Sequence, residues 1–205
     1  MNEMGVTMAV LAGGRGERMG KAKGLLRVGE KPILQYLLER FGWRGPTMLV
    51  SAPGRERPPG AERFDVEVVD PVEGMGPVRG VLTALENLRT EFLVVASVDM
   101  PLVGREQFLW LMERIEEKSE MWGVMVERGD GLIEPLPAVF RKTWAGRPCH
   151  EIVGGHWGEG KRSLHSFAER EGFLVVPAPA AWRNEVWTNL NEPGDWAAFE
   201  RRMRG

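Results

Sequence analysis

A short apolar run that leads directly into a glycine-rich, cationic loop is the feature that most constrains this chain. Residues 6–12 have the length and the Val, Met, Ala and Leu content of a buried strand. The next residues, 13–23, contain four glycines and four cations. Glycines let backbone N–H groups converge on one point without interference from Cβ atoms, and the cations attract negative charge. A strand followed by such a loop therefore predicts a site for an oxyanion such as a phosphate.

The spacing within this loop excludes two familiar phosphate-binding motifs. A P-loop needs Ser or Thr after its Gly-Lys pair and has its first glycine where this chain has Arg15, whereas Lys21 is followed by Ala22. A dinucleotide fingerprint reads G-x-G-x-x-G, whereas the glycines at 14, 16 and 20 read G-x-G-x-x-x-G. The next predicted strand also ends without an acidic residue. The loop is therefore neither a Walker loop nor a Rossmann fingerprint.

Predicted strands alternate with predicted helices through the first 120 residues. The alternation predicts an α/β fold with a mostly parallel central sheet, in which ligands bind at the carboxyl ends of strands. The pattern of apolar residues predicts strands at 6–12, 47–52, 64–69 and 92–98, and helices at 31–41, 81–88 and 105–118.

Beyond residue 120 the pattern is less regular. No repeat or linker separates this part from the first, and 205 residues suffice for one sizeable core, so we predict a single domain over residues 1–205. The pattern predicts strands at 122–127, 136–140, 173–176 and 185–189 and helices at 162–169 and 192–203, and it assigns no element to the Gly/His/Trp-rich stretch at 149–160.

Composition narrows the classes of function. The net charge of -2 and the pI near 6.0 argue against a protein that coats nucleic acid. No apolar run approaches the length of a membrane span, and the first residues carry no basic segment typical of an export signal. A single cysteine, Cys149, fits a reducing compartment. We therefore expect a cytoplasmic protein that binds neither membrane nor nucleic acid.

Two aspartates, Asp70 and Asp99, directly follow predicted strands. A short carboxylate at a strand end suits Mg²⁺, which binds one or two protein oxygens together with substrate phosphates. Local roles remain open for both, because Asp99 precedes a helix that it could cap and Asp70 could close a turn before Pro71. Gly76 and Gly80 fit either a close approach of backbone to ligand or a plain helix entry.

The histidines and tryptophans give weaker signals. The spacing of the three histidines matches no standard zinc-ligand pattern, and one cysteine adds no second ligand, so we predict no zinc site. Four tryptophans lie in the part of the chain that would face a second reactant, but packing is the expected role of each. These are Trp144, Trp157, Trp182 and Trp187.

The first loop resembles the signature L-A-G-G-x-x-x-R-M-G-x-x-K-x-L of the small nucleotidyltransferases, which residues 11–25 match at every fixed position. Within that group the whole chain resembles the molybdenum cofactor guanylyltransferases, the MobA-like family of NTP transferases. That family commonly has aspartate where this chain has Ala22. The other strong matches are Gly76-Pro-Val-Arg-Gly80, Val94-Val-Ala-Ser-Val-Asp-Met-Pro101, Gly160-Lys-Arg-Ser-Leu164 and Asn189-Leu-Asn-Glu-Pro193.

The resemblance implies a three-layer Rossmann-like nucleotidyltransferase fold and transfer of GMP from GTP to molybdopterin, with Mg²⁺ as cofactor and pyrophosphate as the second product. It implies that Lys23 contacts the reacting phosphate and Arg18 the departing pyrophosphate. It further implies that Asp99 and Asn191 hold Mg²⁺, although Asn191 alone would read as a turn residue. Transient contact with molybdenum cofactor insertion or acceptor proteins is also implied.

The resemblance divides the chain into an N-terminal half that binds nucleotide and a C-terminal half that binds the acceptor. The implied nucleotide-binding residues are Leu11, Ala12, Gly13, Gly14, Arg15, Lys23, Asp70, Gly76 and Asp99, and the implied acceptor-binding residues are Arg162, Ser163 and Asn189. Lys21 and Arg79 are weaker candidates for phosphate contacts.

Other functions remain open at this point. A related enzyme could use CTP on the same pterin, or an NTP on a sugar 1-phosphate. A non-catalytic regulator that binds nucleotide belongs to a different class, and the presence of Arg18, Lys23 and Asp99 together argues against it.

Overall fold

The computed structural model describes residues 2–14, 16, 20, 22–155 and 163–204. Strands and helices alternate along this part of the chain, as the sequence pattern predicts. The strands are β1 (Val6–Leu11), β2 (Arg27–Val28), β3 (Lys31–Pro32), β4 (Thr47–Ser51), β5 (Val66–Val69), β6 (Phe92–Ser97), β7 (Gly123–Glu127), β8 (Ile133–Arg141) and β9 (Phe173–Pro177). The α-helices are α1 (Ile33–Phe41), α2 (Gly76–Glu86), α3 (Arg105–Glu116), α4 (Lys142–Val153) and α5 (Pro193–Arg204).

Seven strands form one sheet in the order β5-β4-β1-β6-β8-β7-β9. The pairs β5–β4, β4–β1 and β1–β6 are parallel, as is β7–β9. β8 is antiparallel to both of its neighbours. β2 and β3 form a separate antiparallel hairpin. The carboxyl ends of β5, β4, β1 and β6 therefore meet at one edge of the sheet.

Helices cover both faces of this sheet. Every residue of β1 is buried, which requires packing on both sides of the strand. On one side α1 and α3 contact each other, with the rings of Phe41 and Phe108 centred 4.9 Å apart. A second pair, α2 and α4, packs together. The sheet between two helix layers confirms the three-layer α/β fold.

Six of the seven elements predicted for the first 120 residues agree with the structure to within a few residues, and the seventh, the helix predicted at 81–88, begins earlier, at Gly76. In the second part, the strand predicted at 185–189 is wrong. That segment contains a 3₁₀ turn at Asn184–Trp187, and Trp187 is buried against Trp182, with ring centroids 5.8 Å apart. The predicted helix at 162–169 reduces, within the described residues, to a 3₁₀ turn at Leu164–Phe167.

The sequence pattern missed α4 altogether. Gly146 and Pro148 oppose a helix there, since proline removes one intrahelical hydrogen bond. Ala145, Cys149 and Ile152 nevertheless lie at helical spacing and are fully or almost fully buried. Packing of this face outweighs the local preference. None of the described helices combines the length and apolar character needed to cross a membrane.

Candidate active site

A cavity of about 900 Å³ lies at the carboxyl ends of the parallel strands, within the size range of small-molecule sites. One side, here called the β5-side wall, is formed by Gly13, Gly14, Ala52, Asp70 and residues 72–77. The opposite side, the β8-side wall, is formed by residues 132–136, Leu164, His165 and Asn189. Lys23 and Asp99 also line the cavity.

The glycine-rich loop passes close to the chain that follows β4. A Cβ atom at Gly13 would lie 3.3 Å from both the Cβ and the backbone nitrogen of Ala52, so a side chain there would push the two segments apart. Ala12 anchors the start of the loop by donating its N–H to Val50 O at 2.8 Å. Leu11 and Gly14 also line the cavity. Arg15, Arg18 and Lys21 lie outside the described residues.

Lys23 is held at the cavity by the 3₁₀ turn Lys23–Leu25, to which it belongs, and by Leu26, the buried residue directly after this turn. Leu26 is 1% exposed, and its carbonyl accepts a hydrogen bond from Ile33 N at the start of α1. The Lys23 ammonium donates to Asp99 Oδ2 at 2.7 Å and to Asn191 Oδ1 at 2.8 Å. Lys23, Asp99 and Asn191, to which the resemblance gives roles in phosphate and metal binding, thus come together.

Asn191 reaches this point because the chain before α5 is anchored against the end of β6. Leu190 is fully buried and donates its N–H to Asp99 O at 2.8 Å. Asp195, in the first turn of α5, accepts hydrogen bonds from the N–H groups of Asn191 and Glu192 at 3.0 and 2.9 Å. Sequence reasoning missed Asp195, although an aspartate in the first turn of a predicted helix is a capping signal.

Asp99 does not cap the following helix, because the N-cap of α3 is Gly104. Its Oδ2 accepts from Lys23, and its Oδ1 is buried without a hydrogen-bond partner. Such an oxygen is suited to a cation. Within the described residues no group of three His, Cys, Asp or Glu side chains could hold a metal ion. A divalent cation here would depend on Asp99, the amide oxygen of Asn191 and the phosphates of a ligand.

Asp70 lines the same cavity but does not join Lys23 and Asp99. It follows β5, which is three strand positions from β6, or about 14 Å at the usual strand spacing. Its Oδ1 is buried without a partner, and burial raises the pKa of the carboxyl, against the opposing effects of Thr83 and Arg79. A Cβ at Gly80 would lie 3.8 Å from Asp70 Oδ2, so α2 lies close against this carboxylate.

Gly76, which begins α2, adopts a φ of 71° and lines the β5-side wall. This conformation strains residues with a side chain, so glycine suits the turn that brings the helix N-terminus to the cavity. Arg79 does not line the cavity, and its guanidinium pairs with Glu86 at 2.6 Å. Because Gly76 lines the cavity, its backbone can lie close to a bound ligand, which is one of the two roles that the sequence left open for this residue.

The β8-side wall holds some of the predicted acceptor-binding residues and one that was missed. Asn189 lines the cavity, whereas Ser163 does not, and Arg162 lies outside the described residues. Glu134 was not predicted; its sequence signal is an acidic residue directly before a proline, just ahead of the strand predicted at 136–140. None of the described tryptophans lines the cavity, and Trp157 lies outside the described residues.

Comparison with known proteins links this arrangement to one family. The family model described as "MobA-like NTP transferase domain" matches residues 8–173. A probable molybdenum cofactor guanylyltransferase from Carboxydothermus hydrogenoformans is 32% identical over 200 residues, covering 93% of each chain. Another from Thermococcus sibiricus is 28% identical over 188 residues, covering 91% of this chain and 93% of the relative.

The fold is also similar to that of a solved structure. Molybdopterin-guanine dinucleotide biosynthesis protein A from Archaeoglobus fulgidus superposes with a TM-score of 0.78 at 23% identity, covering 97% of this chain and 98% of that one.

Proposed function

The chain belongs to the MobA-like NTP transferase family, and we propose that it transfers GMP from GTP to molybdopterin and releases pyrophosphate. The relatives whose names specify this reaction are similar over nine tenths of the chain. The single observation that carries the proposal is the Lys23 ammonium, held between Asp99 and Asn191 beside the glycine-rich loop. Proposals for GTP binding, Mg²⁺, cytoplasmic location and contact with cofactor insertion or acceptor proteins rest on the same likeness.

The reaction requires an environment that stabilises negative charge. An oxygen of the acceptor's phosphate forms a bond to the α-phosphorus of GTP. The bond from that phosphorus to the oxygen that bridges it to the β-phosphorus breaks, and the electron pair of this bond leaves with pyrophosphate. Negative charge increases on the transferring phosphate and on the leaving group. The Lys23 ammonium and the backbone N–H groups of the loop would stabilise that charge. Arg18, from the same motif, is proposed to contact the pyrophosphate.

The side chains near Asp99 also fit a divalent cation. Asp99 Oδ1 is buried without a partner, and Asn191 offers a neutral oxygen on the same side of the site. Two protein oxygens together with substrate phosphates suit Mg²⁺. Asp99 and Asn191 would hold the ion, which would supply charge neutralisation between the phosphates. Lys23 would share Asp99 with it through the other carboxylate oxygen.

The β5-side wall is proposed to hold the guanosine part of the nucleotide. Its glycines expose backbone N–H and C=O groups, which can match guanine's hydrogen-bonding edge and leave a mismatched base with unpaired groups. Each unpaired buried group costs about 1–3 kcal/mol, so we expect GTP to be preferred over ATP and CTP by roughly tenfold to several hundredfold.

Pyrophosphate release from each of four NTPs, with and without molybdenum-loaded molybdopterin, tests the proposal. We expect release that depends on both GTP and the pterin, and GTP should win when mixed at equal concentration with each other nucleotide. Preferential CMP transfer would assign the chain to a cytidylyltransferase activity. Transfer only to a sugar 1-phosphate would remove it from pterin chemistry. Nucleotide binding without any release would identify a regulator.

A further inference from the structure

The β8-side wall contains one acidic side chain in largely apolar surroundings. Glu134 is 8% exposed, and within the described part of the chain it is the only acidic residue among those that are buried. It faces the same cavity as Lys23 and Asp99. The other residues of this wall are Leu132, Ile133, Pro135, Leu136, Leu164, His165 and Asn189. A buried carboxylate here is costly unless something hydrogen-bonds to it.

Glu134 forms an ion pair, but this pair supplies only part of the hydrogen bonding that a buried carboxylate needs. Arg128 Nη1 donates to Glu134 Oε1 at 2.9 Å, but the same guanidinium also pairs with the more exposed Asp130 at 2.5 Å. Burial raises the pKa of Glu134 even though Arg128 and His165 act to lower it. Glu134 Oε2 receives no hydrogen bond from any residue that the structure describes. This oxygen is therefore available to a ligand's donor.

The position of Glu134 along the sheet indicates which reactant it faces. The β5-side wall lies over β5, β4 and β1, whereas Glu134 lies at the start of β8, on the other side of β6. Asp99, where phosphate chemistry is proposed, follows β6 and so lies between the two walls. With the nucleotide over the β5-side wall, the second reactant must approach Asp99 from the β8 side.

The chemistry of this wall favours a flat ring that carries N–H donors at one edge. Apolar side chains such as Leu136 and Leu164 can cover the faces of a ring, and a carboxylate binds two adjacent N–H groups strongly. The hydroxyl groups of a sugar would instead lie against these apolar side chains, where they would find no hydrogen-bond partners. A 2-amino-4-oxo pteridine presents adjacent 2-amino and N3–H donors on a flat ring.

We propose that Glu134 is the specificity residue for the acceptor, accepting hydrogen bonds from the 2-amino and N3–H groups of its pterin ring. The inference rests on the proposed function, because it takes a pterin as the second reactant. Arg128 acts as a positioning residue that holds the carboxylate toward the cavity. Neither residue takes part in the transfer itself.

Binding of two simple pteridines to the intact protein tests this assignment without turnover. Pterin carries the 2-amino group, whereas lumazine is its 2-oxo counterpart, and the intrinsic fluorescence of each ring reports binding. Wild-type protein should bind pterin roughly tenfold to a hundredfold more tightly, because a carboxylate repels the 2-oxo group and loses a charge-assisted hydrogen bond. This comparison needs no variant, so it stands even where a substitution impairs folding.

Two variants locate the preference. Glu134→Gln should abolish or reverse it, because the amide can donate to the 2-oxo group of lumazine. Asp130→Asn, at an exposed residue that contacts the same arginine outside the cavity, should keep it. GTP binding should be unchanged in both. If Asp130→Asn lost the preference for pterin as completely as Glu134→Gln, the ion pairs of Arg128 and not Glu134 itself would be responsible, and the proposal would be overturned. An undiminished preference in Glu134→Gln would also overturn it.

The outcomes also separate this inference from the proposed function. Equal binding of both pteridines by the wild-type protein would leave the pterin acceptor in place and refute the role of Glu134. Failure to bind either pteridine, with GTP binding intact, would refute the pterin acceptor and this inference with it.

Discussion

The two walls of the cavity are built in different ways from the same chain. On the β5-side wall, each segment follows directly from a parallel strand, so Gly13, Ala52 and Asp70 reach the cavity because their strands end there. The β8-side wall combines the start of an antiparallel strand with a 3₁₀ turn and the segment around Asn189. The first wall depends on local strand-and-loop signals, whereas the second depends on contacts between distant segments.

The two walls each contain a buried or half-buried carboxylate, but the partners of the two carboxylates differ. Asp70 on the β5 side leaves Oδ1 without a partner, whereas Glu134 on the β8 side is paired with Arg128. Burial raises the pKa of both groups. Each wall therefore keeps a carboxylate that the protein alone satisfies incompletely, which is the expected cost of a polar group reserved for a ligand.

Asp99, where the two walls meet, should give the largest effect on turnover. We expect Asp99→Ala to lower the rate by roughly a thousandfold or more, because both cation binding and the Lys23 contact are lost. The melting temperature should change little, because the Lys23 ammonium keeps its hydrogen bond to Asn191 and water can enter the cavity to replace the lost carboxylate. Steady-state rates in Mg²⁺ and thermal melting measure both, with the exposed Asp130→Ala as control. Near-normal rates in Asp99→Ala would contradict the assignment.

Lys23→Ala should produce the next largest effect, and mainly on kcat. A contact that strengthens as charge develops is felt in the transition state, and its removal costs on the order of a hundredfold. Measured kcat and KM for GTP separate the two contributions. The matched control is Lys31→Ala, because Lys31 is a partly exposed lysine that pairs with Glu39 and does not line the cavity. A change in KM alone would make Lys23 a ground-state binding residue.

Asp195 tests whether the segment from the distant end of the chain matters for the site. We expect Asp195→Ala to lower activity by roughly tenfold and to raise the Mg²⁺ concentration needed, because the backbone of Asn191 and Glu192 loses its hydrogen-bond acceptor. Asp195→Asn keeps one acceptor oxygen, so its activity and its Mg²⁺ requirement should both be close to those of the wild-type protein. Titration of activity with Mg²⁺ distinguishes this from a purely structural role, which would lower stability without shifting the Mg²⁺ requirement.

Asp70→Asn should have the smallest effect, on stability and its pH dependence. Burial raises the pKa of folded Asp70, so the folded state binds more protons between the unfolded and folded pKa values and loses stability as pH rises through that window. The variant should therefore melt at a higher temperature than wild type at neutral pH. Melting curves from about pH 7 down to about pH 4 should show the difference shrinking as Asp70 becomes protonated.

A difference between Asp70→Asn and wild type that stays constant across this pH range would contradict the titration of Asp70. Asp130→Asn, at an exposed residue, provides the control for a general effect of removing one negative charge.

The sequence predicted the β5 side of the molecule well and the β8 side less well, for physical reasons. Val6–Leu11 and Phe92–Ser97 consist almost entirely of apolar residues, which is typical of buried parallel strands. In contrast, α4 contains Pro148, and Trp187 is buried by a 3₁₀ turn although its neighbours suggest a strand. Such segments take the structure that their packing requires, and packing partners are not encoded in local pattern.

The same distinction applies to the candidate site. Glycine spacing and strand-end carboxylates identified the loop, Lys23 and Asp99 from residues close together in the sequence. The hydrogen bonds from Lys23 to Asp99 and Asn191, the positioning of Asn191 by Asp195 and the burial of Glu134 join segments that are distant along the chain. The sequence by itself determined which chemical groups are present and that β1 and β6 are buried strands of a mostly parallel sheet, because these follow from residue type and periodicity. Only the tertiary structure decided which groups meet, because burial and hydrogen bonding between distant segments depend on how the whole core packs.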